Sequence, residues 1–157
     1  MKKYTIVFFV VLINTLSNAA TVPDRDALLK FVRAAIDDCY EDDAKTIKVE
    51  ATGAAFESLI TSDPNPPRAT KCMRFCVMKS HNLYNEDNTL NIKQVQELFK
   101  HVYPEIMDET KLNIVGETTE QCVSHSATVE DRCEKSHDIA MCMITKLAQR
   151  GIDIKQI

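Results

Sequence analysis

The stretch Lys71-Cys72-Met73-Arg74-Phe75-Cys76-Val77-Met78 decides the fold. It lies within a helix predicted over residues 68–82. Cys72 and Cys76 are four residues apart and therefore project from one face of that helix. Side by side on a regular helix, they do not easily reach disulfide geometry with each other. If oxidised, they must reach two other parts of the chain.

The first residues say that they are oxidised. Lys2 and Lys3 precede an apolar run from Ile6 to Ile13, and Ser17 and Ala19 follow as small residues. This is the pattern of a secretory signal peptide over residues 1–19, with cleavage after Ala19 or Ala20 and a mature domain over 20–157. The run is too short for a membrane anchor, which needs about 20 apolar residues. Export places all six cysteines, Cys39, Cys72, Cys76, Cys122, Cys133 and Cys142, in an oxidising compartment where an even set pairs. Six cysteines allow 15 connectivities. Cys133 and Cys142 are nine apart on a predicted last helix, about 900° of rotation, so they face opposite sides. That helix is pinned on both flanks. Each bridge contributes roughly 2–4 kcal/mol. Such a shell tolerates an incompletely packed interior, and an apolar void is a ligand pocket.

Working outward, the chain reads as helices between polar turns. A first helix starts near Pro23, with Asp24 or Asp26 as cap. Leu29, Val32, Ile36 and Cys39 form its stripe, and it ends near Tyr40. A weaker helix covers 49–59, interrupted by Gly53. Pro64, Pro66 and Pro67 break the chain. After the 68–82 helix and a turn at 85–88, a helix over 91–102 carries Ile92, Val95, Leu98, Phe99 and Val102, and Pro104 ends it. A fifth helix occupies part of 108–124, blurred by Gly116. A last one runs over 129–149, with Gly151 placed to end it. The fold class is all-α, about six helices.

Composition excludes several function classes. The chain is 45% apolar with three glycines, which argues against disorder. Residues 1–19 hold two lysines and no acid, so the remainder carries 17 basic and 23 acidic residues, net −6. That charge repels nucleic acid and anionic lipid. Beyond the first stretch no segment is long and apolar enough to insert stably in a membrane.

The spacing Cys39-x32-Cys72-x3-Cys76-x45-Cys122-x10-Cys133-x8-Cys142 resembles the six-cysteine signature of insect odorant-binding proteins. The resemblance implies helices around a hydrophobic cavity and the pairs Cys39–Cys76, Cys72–Cys133 and Cys122–Cys142. It implies a secreted, extracellular carrier of odorants or pheromones, with no cofactor, monomeric or weakly dimeric, serving an olfactory receptor complex. The candidate ligand-binding residues are Val32, Ile36, Met78, Leu83, Leu90, Val95, Leu98, Phe99, Val102, Ala140, Met143, Ile144 and Leu147. Apolar type, helix face and position relative to the cysteines single them out. Each equally suits ordinary core packing. Met78 and Met143 stand out because flexible thioethers adapt to varied shapes.

Sharper chemistry finds little support. Cys122-x2-His125 and Cys133-x3-His137 look like fragments of a zinc site, but an exported chain favours disulfides over thiolates. A Cys–His nucleophile needs a free thiol, so no enzyme is expected and no catalytic residue is named. The turn Asn85–Leu90 lacks the glycine and bidentate Glu of a calcium loop. No N-x-S/T site occurs. Histidine as a residue type ordinarily titrates near neutrality, so His81, His101, His125 and His137 are the candidates for a pH switch. Some members of the resembled family release ligand on acidification as a C-terminal segment moves. Here Ile152, Ile154 and Ile157 form a partly apolar tail suited to cover an opening. The favoured function is non-catalytic transport of a small hydrophobic molecule. The rivals are a solid-cored secreted protein that docks on a receptor, and a small secreted hydrolase.

Overall fold

The computed structural model describes residues 33–61, 63–102 and 107–152, with residues 60, 61, 101 and 102 described in backbone alone. The leader, Val32, Pro104, Ile154 and Ile157 lie outside the described residues. After a helical turn at 33–36 come five helices: α1 (Gly53–Thr61), α2 (Arg68–Ser80), α3 (Ile92–Val102), α4 (Glu109–His125) and α5 (Arg132–Gln149). Among the described residues there is no strand. Tyr40 with Lys48 and Tyr84 with Leu90 form isolated bridges. The protein is all-α.

Capping explains the boundaries. Pro67 occupies the cap position of α2, so the proline break leads directly into the helix. Asp108 accepts from the Lys111 N–H at 2.8 Å and starts α4. Asp131 accepts from Cys133 and Glu134 N–H, both at 3.0 Å, and starts α5. The last helix therefore begins at Arg132 and not at residue 129, because the capping carboxylate sits at 131. Likewise α1 begins at Gly53, where Thr52 Oγ1 accepts from Ala55 N–H at 3.2 Å. Val49 lies outside it, and its N–H donates to Cys39 O at 3.0 Å.

Two helices end in the same manner. After α2, Asn82 adopts φ 58°. Leu83 N–H then donates to Met78 O at 3.1 Å and Asn82 N–H to Lys79 O at 3.0 Å. After α5, Gly151 adopts φ 80°. Ile152 N–H donates to Leu147 O at 2.8 Å and Gly151 N–H to Ala148 O at 3.1 Å. Leu83 and Ile152 then bury their side chains in the core.

Helix α2 packs against α1 and α5, and α4 packs against α3 and α5. Disulfides join Cys39 to Cys76, Cys72 to Cys133 and Cys122 to Cys142, with Cα atoms 5.7, 4.3 and 5.7 Å apart. No cysteine lies between Cys76 and Cys122, so no bridge reaches α3, which is held by noncovalent contacts. Gly116 does not interrupt α4. It is buried where a Cβ would come within 2.5 Å of Gln96 Nε2, which donates to Leu112 O at 2.9 Å.

Candidate functional site

One apolar cluster runs through the interior, and it gathers most of the candidate residues. Met78 comes from α2, Val95 and Phe99 from α3, and Met143, Ile144 and Leu147 from α5. Ile36 closes the helical turn, while Leu83 and Leu90 flank the loop after α2. All nine are buried. Leu98 is half-buried against the cluster, and Ala140 is buried on α5. Val32 and the side chain of Val102 lie outside the described residues.

The cluster also holds residues that had not been proposed. Phe56 and Leu59 of α1, Met73 and Val77 of α2, and Val115 of α4 are buried in it. Phe56 and Leu59 carried a signal, since they share a helical face. Met73 carried none, because α2 buries Cys72, Met73, Arg74 and Phe75 in succession and shows no single apolar stripe.

Polar groups at the margin are few and mostly satisfied. Thr119 Oγ1 donates to Val115 O at 2.7 Å and lies 3.9 Å from Met143 Sδ. Tyr84 reaches inward beside Phe75, their ring centroids 5.2 Å apart. Ser136 Oγ donates to Arg132 O at 2.7 Å, so the Tyr84 hydroxyl, 2.8 Å from Ser136 Oγ, is the donor of that pair. The Tyr84 hydroxyl is also 3.8 Å from Met78 Sδ. Burial pushes it up to about 12, so it stays neutral.

Tyr84 and Leu90 line a cleft of about 450 Å³ whose apolar wall includes Phe75, Val123 and Ile139. Its rim is acidic, with Asp43, Asp87, Glu130 and Asp131. Arg132 stands over the Phe75 ring at 4.6 Å. Its guanidinium donates to Tyr40 O at 2.6 Å and Glu41 O at 3.1 Å, and pairs with Asp43. It thereby ties the loop after the first helical turn to α5.

The other singled-out groups are placed as follows. Cys122 and Cys133 are in disulfides, so neither offers a thiolate to a metal or a substrate. Asp87 Oδ1 is engaged by Thr89 N–H at 3.0 Å and the Thr89 hydroxyl at 2.6 Å. His125 is exposed at the end of α4, His81 is half-buried, and His137 is buried on α5. The side chain of His101 is outside the described residues.

Comparison with known proteins agrees with this arrangement. Residues 21–146 match the PBP/GOBP family. General odorant-binding protein 19d of Drosophila melanogaster is 26% identical over 106 residues, 68% of this chain and 69% of the relative. General odorant-binding protein 28a of the same species is 25% identical over 129 residues, 82% of this chain and 83% of the relative. No solved structure matches. With six cysteines in three bridges, an all-helical fold and a match that spans most of its length, this chain belongs to the PBP/GOBP family of odorant-binding proteins.

Proposed function

We propose that the protein is exported by cleavage after Ala19 or Ala20 and carries a small hydrophobic molecule among the helices, without catalysis. The observation that supports this most is the membership over residues 21–146, together with the apolar cluster to which all five helices contribute. A bound molecule gains about 25 cal/mol for each Å² of apolar surface removed from water. Polar contacts then set orientation. The Met side chains of α2 and α5 adapt to unlike shapes, which suits a carrier of several related ligands. An odorant is the ligand class that the relatives' names suggest, and the resemblance in cysteine spacing extends it to pheromones, with an olfactory receptor complex as recipient and a monomer or weak dimer as the carrying form.

The test is displacement of a fluorescent apolar probe from the oxidised protein by long-chain alcohols, esters, aldehydes and acids. Saturable one-site binding with micromolar competition supports the carrier reading. Absence of binding with all three disulfides formed would overturn it in favour of a solid-cored protein that docks on a receptor.

A further inference from the structure

Among the described residues Arg74 is the only buried Lys, Arg, Asp or Glu. It lies mid-way along α2, 1% exposed, between Met73 and Phe75. Its Nη1 points at Met141 Sδ, 3.6 Å away on α5. Its Nε and Nη2 have no hydrogen-bond partner. These two nitrogens form one edge of the guanidinium, where two N–H bonds run parallel at the spacing of the two oxygens of a carboxylate. Burial pushes the group down to about 10, so it remains a cation near neutral pH. A buried cation with an open bidentate edge is costly unless something fills it. Asp63 does not fill it. That carboxylate acts on Arg74 only through its field, and its Oδ1 accepts from Asn65 N–H at 2.9 Å.

A second open nitrogen faces the same region. His137 on α5 has Nε2 3.2 Å from Pro64 O, and its buried Nδ1 has no partner. His137 sits one turn before Met141, the residue that Arg74 touches, and the charge of Arg74 disfavours its protonation. His137 and Met141 also form part of the wall of a groove of about 610 Å³, with Pro64, His125, Cys142 and Lys146. Met141, the residue that touches Arg74, thus also borders solvent.

We propose that Arg74 is a head-group anchor for a ligand bearing a carboxylate on an apolar tail, the two oxygens accepting from Nε and Nη2. This rests on the carrier reading above and narrows its ligand class. The surroundings select the tail. A small hydrated anion would lose its water beside Met141 in the buried interior with no apolar gain, whereas a tail supplies that gain.

The experiment compares dodecanoate, 1-dodecanol and acetate as competitors on the oxidised protein at pH 8, in wild type and Arg74→Met. The expected result is dodecanoate at least about tenfold tighter than dodecanol in wild type, acetate without effect, and the preference lost in Arg74→Met with dodecanol affinity kept. Equal wild-type affinities for acid and alcohol overturn the anchor, as does a preference that survives Arg74→Met. Acetate competing as well as dodecanoate reduces the site to an anion site and overturns the tail. Failure of acid and alcohol alike removes the carrier reading itself. Should Arg74→Met not fold, carboxyl ¹³C titration of dodecanoate bound to wild type decides. A pKa below that of the free acid supports the anchor, and an unshifted or raised one overturns it.

Discussion

At Gly151 the backbone turns through φ 80° to end α5, and Ile152 is drawn back onto Leu147. A Cβ there meets no neighbour within 4 Å, so any penalty is conformational. Gly151→Ala is expected to cost about 1 kcal/mol, measured by urea denaturation of the oxidised protein. An unchanged midpoint would show that the turn is not held as described. This feature was legible in the sequence, because glycine after a periodic segment has one common use. The buried histidines were not. Burial pushes His81 from 6.5 down to about 4, and His137 is lowered by burial first and the charge of Arg74 second. Unfolded, each takes a proton near 6.5; folded, they resist it. The contribution of His81 to stability is whole above about pH 6.5 and is lost as pH falls toward 4, and that of His137 falls in the same direction. Asp131, held below the usual carboxylate range by the hydrogen bond from Arg68, loses its contribution as pH falls further. The melting temperature should therefore drop between pH 7 and pH 4.5, and His81→Gln should flatten the drop. A flat profile in wild type would refute this.

At the scale of the element, Gly116 and Gln96 couple α4 to α3. Alanine at 116 adds about 1 kcal/mol of helix propensity. It also pushes the Gln96 amide off Leu112 O, a hydrogen bond worth about 1 kcal/mol. Gly116→Ala alone is expected to be near neutral, while in a Gln96→Ala background it should stabilise by about 1 kcal/mol. A double-mutant cycle by thermal unfolding checks this, and additivity would deny the coupling. The sequence made Gly116 look like a blurred helix because glycine opposes helix in isolation. What it could not display is a neighbouring side chain occupying the space of the missing methyl. For α2 the difficulty was different. Arg68 and Lys71 are ion-paired at its start, with Glu41, Asp131 and Glu134, and Arg74 is inside. Charged letters thus hide a helix that is buried on several sides.

For the whole molecule, cysteine spacing carried most of what was legible, since an exported even set must pair and only compatible helix packings survive that requirement. The apolar type of a residue does not separate a ligand wall from a core, because Met73 and Met78 are buried alike on α2 within one cluster. The covalent map has a further consequence. Cross-links fasten α2 to α5 and α4 to α5, but the 45 residues between Cys76 and Cys122 are tied only at their ends. Of the five helices α1 and α3 carry no cysteine, and α3 lies in the longest stretch without a cross-link, its Val95 and Phe99 buried in the cluster. Amide hydrogen exchange should be faster in α3 than in the middle of α2 or α5. Equal protection would mean that packing holds α3 as firmly as the bridges hold its neighbours. Faster exchange would mean that the interior opens by the breathing of a single helix while every covalent strut stays closed.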